Sequence, residues 1–162
     1  MSNPLLSPGK RAPAFTLKAD EGPRLRLTEH RGRWIVLFFC PCTSFKSCCG
    51  SLQVFNGYLK KFKDADAFLI GISNVDTGQV GAIRKESGLP FPILSDYNFA
   101  VGKKYGVWRE IKRGGKKYMA YIRGTFILDP SGKVVAVWDN WRVNGHVEKV
   151  WEELRRLQNS EQ

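Results

Sequence analysis

Apolar and polar positions alternate along this chain in blocks that switch between the period of a strand and the period of a helix. Trp34-Ile35-Val36-Leu37-Phe38-Phe39 is apolar throughout, as befits a strand buried on both faces of a central sheet. Pro41 ends it. Past Ser47, the positions Leu52, Phe55, Leu59 and Phe62 recur at spacings of three and four, which predicts a helix with Ser47 as N-cap and Cys48 in its first turn. Ala67 to Ser73 reads as a second central strand, parallel to the first because a helical crossover joins the two. Ahead of this unit, Ala14 to Lys18 and the Leu25 and Leu27 pair flank a Gly22-Pro23 turn and predict a short hairpin. Behind it, Thr77 caps a helix to about Ser87, which Gly88 stops. Leu89 to Leu94 is a short strand punctuated by prolines, and Ser95-Asp96 opens a helical segment reaching Tyr105-Gly106. Strands follow at Tyr118 to Ile122, Thr125 to Leu128 and Val134 to Trp138, the last two joined by an Asp129-Pro130-Ser131-Gly132 turn. Val147, Val150, Trp151, Leu154 and Leu157 stripe a C-terminal helix with basic residues late in it. The expected architecture is α/β: a central mixed sheet of four or five strands flanked by helices, with an N-terminal hairpin extension.

Composition narrows this picture. A chain of 162 residues with 43% hydrophobic content buries one good core, and no linker-like stretch divides it, so a single domain over 1–162 is expected. No segment approaches the apolar length of a membrane span, and the first ten residues lack the apolar centre of a signal peptide, which predicts a cytoplasmic protein with no membrane partner. The formal net charge of +11 attracts phosphates, acidic proteins or anionic substrates. Its densest run, Lys103 to Lys117, straddles Gly114-Gly115 and reads as the solvated face of a hairpin. No nucleic-acid motif accompanies that run, so a nucleic-acid partner is not expected. His30 sits among polar neighbours and reads as a solvated turn residue.

The candidate chemistry lies in Cys40, Cys42, Cys48 and Cys49, the only cysteines of the chain. Clustering of this kind in an intracellular protein points to redox or metal chemistry, since a structural disulfide framework spreads its cysteines along the sequence. A thiol in the first turn of a helix meets unpaired backbone N–H groups and the positive end of the macrodipole, which favour the thiolate, the nucleophilic form. Cys48 has that position, with Lys46 beside it. Cys40, at a strand end, reads equally as packing. Three activities fit these residues: nucleophilic redox catalysis at Cys48, thiol–disulfide exchange through Cys42 and Cys48, or a soft-metal or Fe–S module held by four thiolates. Adjacent cysteines on a helix diverge by about 100° and converge poorly on one ion.

The element order is that of the thioredoxin fold, and the motifs carry a closer resemblance. Gly9-Lys10-Arg11-Ala12-Pro13-Ala14-Phe15-Thr16-Leu17, Arg31 to Phe39, Gly71-Ile72-Ser73, Leu89 to Asp96 and Arg123-Gly124-Thr125-Phe126-Ile127-Leu128-Asp129-Pro130-Ser131-Gly132 are similar to the peroxiredoxins of the alkyl hydroperoxide reductase C and thiol-specific antioxidant group. That resemblance implies a thiol-dependent peroxidase, acting on hydrogen peroxide or organic hydroperoxides through a cysteine sulfenic acid, with no cofactor and no metal. It implies Cys48 as the peroxidatic cysteine, Pro41 as the active-site proline and Arg123 as the active-site arginine. The family threonine is replaced by Phe45, whose ring cannot make a hydroxyl's hydrogen bond; Thr43 and Ser44 lie nearby. If the chain holds its own resolving thiol, Cys42 is the one expected, because vicinal Cys48 and Cys49 close a strained ring and the common resolving position holds Gln53; the alternative is a one-cysteine cycle resolved by an external thiol. The expected reductant is a thioredoxin-like protein or a small thiol, and the expected assembly a monomer or homodimer.

Overall fold

The computed structural model describes residues 5–41, 52–139 and 145–160. Two short strands open the fold, β1 (Thr16–Leu17) and β2 (Leu25–Arg26), paired antiparallel as the predicted hairpin. Leu27 continues as a 3-10 turn to His30 rather than as strand, and its side chain is buried under the sheet.

The sheet is built on β3 (Trp34–Phe39), buried along its whole length. Helical residues 52–57 (α1) and α2 (Leu59–Asp64) lead to β4 (Ala67–Ser73), parallel to β3. Then α3 (Thr77–Ser87) leads to β5 (Ile93–Ser95), parallel to β4. Next come α4 (Ala100–Tyr105) and a separate antiparallel ribbon of β6 (Trp108–Arg113) and β7 (Lys116–Tyr121). The chain re-enters the sheet as β8 (Gly124–Leu128), antiparallel to β3, adds β9 (Val134–Asp139), and closes with α5 (His146–Ser160). The strand order is β5-β4-β3-β8-β9, the mixed five-stranded sheet that the pattern predicts.

Side chains of β3 alternate between two cores, as a pleated strand requires. Val36, Phe38 and Cys40 face α1, α2, α3 and α5, meeting Phe55, Phe62, Val80 and Val150. Ile35, Leu37 and Phe39 face the N-terminal hairpin, α4 and the ribbon, meeting Phe15, Tyr105 and Tyr121. Phe38 stacks on Phe55 with ring centroids 3.9 Å apart. A Cβ at Gly71 would lie 2.8 Å from the Phe38 ring, so only glycine lets β4 pass beneath this stack.

Three local expectations are corrected. The N-cap of α3 is Asp76, not Thr77: its carboxylate accepts the Gln79 N–H at 2.8 Å, and the Gln79 side chain accepts the Asp76 N–H, a reciprocal capping box. Helix α4 begins at Ala100 rather than at Ser95-Asp96, because Ser95 still pairs in β5 and Asp96 reaches over the intervening turn to the helix N–H groups. The arginines of α5 lie a turn short of its end, since the helix runs on to Ser160. Among the described residues, no helix is long and apolar enough to cross a membrane.

Candidate active site

The sequence points to the C-terminal end of β3, where Cys40 and Pro41 lead into the cysteine-bearing segment. Cys42, Cys48 and Cys49, with Thr43, Ser44, Phe45, Lys46 and Ser47, lie outside the described residues. The residues that bracket them, Pro41 and Leu52, are described, and Leu52 packs in the same core as Cys40.

Cys40 is 2% exposed, and its N–H donates to the Ile72 carbonyl at 2.9 Å. Burial pushes its thiol up to about 12, with the positive charge of Arg123 pulling the other way. A thiol so protonated is a packing group, not a nucleophile. Phe39 pairs with Gly124 at the last rung of the β3–β8 ladder, so Cys40 and Arg123 each stand one residue beyond that rung. The predicted Pro41 and Arg123 are thus brought to one end of the sheet.

The backbone around Arg123 is fixed from both sides. Upstream, the Tyr121 hydroxyl donates to Asp96 Oδ2 at 3.1 Å. The same carboxylate, fully buried, accepts the N–H groups of Val101 at 3.0 Å and Gly102 at 2.7 Å. Burial raises the Asp96 pKa against these three stabilising hydrogen bonds, and burial likewise holds the Tyr121 phenol well above its usual range. A Cβ at Gly102 would lie 2.6 Å from the Tyr121 ring, so α4 and Tyr121 meet without clearance. The Ile122 N–H donates to the Val107 carbonyl at 2.8 Å. Downstream, β8 pairs on both edges, with β3 and β9. An arginine carried on such a frame is pre-organised for an anion or an oxyanion-like transition state.

A second polar pair lies beneath the helical layer. Thr125 Oγ1 and His146 Nε2 are 2.9 Å apart, both buried, with the imidazole set edge-on to Phe55 of α1 and Trp138 of β9. Burial, and then the charge of Lys149, lower the His146 pKa to about 3, so the ring is neutral at ordinary pH. Sequence reasoning finds neither His146 nor the Asp96–Tyr121 pair. The signal for His146 was available: His146, Val150 and Leu154 continue the apolar stripe of α5 one turn back. His30 is also corrected, since it stacks on Phe68 at 4.7 Å instead of standing in solvent; partial burial, then the Arg33 charge, lower its pKa.

The AhpC/TSA family model matches residues 8–137. The chain belongs to the AhpC/TSA family. It is 35% identical over 149 residues, 92% of this chain and 95% of the relative, to a Mycobacterium tuberculosis (strain H37Rv) protein that carries a peroxiredoxin name. It is 31% identical to Peroxiredoxin Bcp of Bacillus subtilis (strain 168), with the same coverage of both chains. Among solved structures it is similar to a mutant form of Xanthomonas campestris Peroxiredoxin Q, with a TM-score of 0.81 and 30% identity over 88% of this chain and 90% of that one. A structure of the Xanthomonas campestris bacterioferritin comigratory protein, described for its alkyl peroxide reduction activity, matches with a TM-score of 0.80 and 29% identity, again over 88% and 90% of the two chains. The expected thioredoxin-like fold and the expected enzyme class, a peroxiredoxin-type thiol peroxidase, both hold.

Proposed function

We propose that this peroxiredoxin reduces hydrogen peroxide and organic hydroperoxides with Cys48 as its nucleophile and Arg123 as the cation that holds thiolate and peroxide together. This reading is supported by the position of Arg123 one residue beyond the Phe39–Gly124 rung, on a backbone held by hydrogen bonds, at the sheet end where the chain runs on from Cys40 and Pro41 toward Cys42. The Cys48 thiolate attacks one peroxide oxygen, the O–O bond breaks, and the leaving oxygen departs as water or alcohol after taking a proton. Cys48 is left as a sulfenic acid. A guanidinium, planar and always charged, stabilises both the thiolate and the charge developing on the leaving oxygen. Phe45 supplies no hydroxyl to this arrangement, and Thr43 or Ser44 takes that part.

A second thiol then attacks the sulfenic sulfur, expelling water and forming a disulfide, which a thioredoxin-like protein or small thiol reduces. We assign the second thiol to Cys42, since Cys40 is buried and protonated and Cys48 with Cys49 closes a strained ring. We read the protein as one domain over 1–162, a monomer or homodimer. Its compartment is the cytoplasm, where clustered cysteines stay reduced. Peptide mapping by mass spectrometry after one equivalent of peroxide tests the assignment. A Cys42–Cys48 disulfide is expected; sulfenic acid or a mixed disulfide on Cys48 in every preparation rejects Cys42, and first oxidation at Cys49 or Cys40 rejects Cys48.

A further inference from the structure

The ribbon of β6 and β7 carries charge in a pattern that its own stability does not explain. Its two-residue loop, Gly114-Gly115, has φ of 59° and 78°, both in the left-handed region that a type I′ hairpin turn demands. The register that follows sets Arg113 directly across from Lys116, and Lys112 directly across from Lys117. Like charges in cross-strand pairs destabilise a ribbon. Both pairs are nevertheless exposed, and among the described residues no ion pair involves any of the four. Closer to the base the charge is balanced, with Arg109 bonded to Asp139 at 2.5 Å. The unbalanced charge is confined to the tip.

Successive cross-strand pairs project from opposite faces of a ribbon. The Lys112–Lys117 pair therefore lies on one face and the Arg113–Lys116 pair on the other, next to the exposed Met119 and Tyr118 respectively. A flat acidic protein surface would engage one face and leave the other pair still repelling itself. A groove with anionic walls on both sides engages both. The major groove of duplex DNA is about 12 Å wide, admits a two-stranded ribbon, and has phosphates on each rim. We infer that the tip of this ribbon is a docking arm for the major groove of double-stranded DNA, contacting phosphates without base-specific readout. The sequence shows the basic run alone; the two-faced register is what reverses the expectation of no nucleic-acid partner. The net charge of +11 draws the same ligand from a distance.

Fluorescence anisotropy of a labelled duplex of about 20 base pairs, titrated with the full-length protein across salt concentrations, tests this. Four phosphate contacts give a slope of log affinity on log salt of about −3.6, or roughly a 150-fold loss between about 50 and 200 mM salt. The quadruple variant Lys112→Ser, Arg113→Ser, Lys116→Ser, Lys117→Ser is expected to lose nearly all of that slope, while its peroxide reduction with a small thiol as reductant stays as in wild type. Wild type that fails to bind the duplex at the low-salt end of the titration, or a variant that binds with an unchanged slope, overturns the inference. So does a variant that keeps DNA binding but turns over poorly only with a protein dithiol reductant, which would make the arm a contact for an acidic protein. The peroxidase readout is separate, so failure here leaves the Cys48 assignment standing.

Discussion

Arg123 and Cys40 stand at the same end of the sheet, and we propose a part in the chemistry for the arginine alone. Cys40 has lost its solvent, which favours the neutral thiol, and the nearby cation does not outweigh that loss. A guanidinium offers a planar fork of donors, so Arg123 is the group we propose to serve the transition state. Replacing it by methionine is expected to slow peroxide consumption by about 100-fold, the typical cost of losing one pre-organised electrostatic donor, with little change in melting temperature. Stopped-flow rates and thermal unfolding of Arg123→Met check both halves; an unchanged rate in the folded variant removes Arg123 from the site. His146 stands one turn before Val150 on the apolar stripe of α5, a signal that counts only once the start of that helix is known. Its folded pKa near 3 lies below the ordinary 6.5, so between these values the unfolded chain holds a proton that the folded chain does not. Stability should therefore rise with pH through that window and be lost as pH falls. Asp96, raised by burial, acts in the opposite sense near the ordinary carboxylate range. The comparison with His146→Gln isolates the histidine: melting temperatures from about pH 7 down to about pH 4 should fall more steeply in wild type. Parallel curves would show that His146 is not the group responsible.

At the scale of elements, the sequence was most legible where one physical cause dominates. β3 is apolar throughout, and nothing competes with a doubly buried strand for such a run. The edges of α3 and α4 were harder, because Asp76, Thr77, Ser95 and Asp96 are all good capping types and propensity alone does not choose among them. The decisive information is reciprocal: Gln79 stands three residues after Asp76, which completes a capping box that Thr77 has no partner to make. Asp76→Ala should cost about 1 kcal/mol in chemical denaturation, with an unchanged slope on denaturant; no loss would mean that the box contributes nothing in solution. Asp96 shows the opposite difficulty. Its reach to Val101 and Gly102 crosses a turn with Phe99 at φ of 63°, a conformation that sequence pattern does not announce. The basic ribbon was visible as a hairpin from Gly114-Gly115, but which charges face one another depends on register and so on structure.

For the whole molecule, two parallel crossovers followed by an antiparallel return bring the C-terminal end of β3 and the segment before β8 to one end of the sheet. That topology is why Pro41 and Arg123, far apart in sequence, stand at the same end of the sheet, and it could be read from element order before any distance was known. The cysteine cluster stands in the sequence itself, whereas the supports of Arg123, namely Asp96, Tyr121 and the Val107 carbonyl, come from three separate segments and are joined only by folding. The central claim is that one thiol, Cys48, does the chemistry while the buried Cys40 does none. Stopped-flow peroxide reduction by wild type, Cys48→Ser and Cys40→Ala, with a small thiol as reductant, tests it most directly: Cys48→Ser should lose essentially all turnover and Cys40→Ala should keep the wild-type rate within about twofold, the size of a packing change away from the reacting atoms. A Cys48→Ser enzyme that still turns over at the wild-type rate, or a folded Cys40→Ala enzyme that does not, would contradict the account.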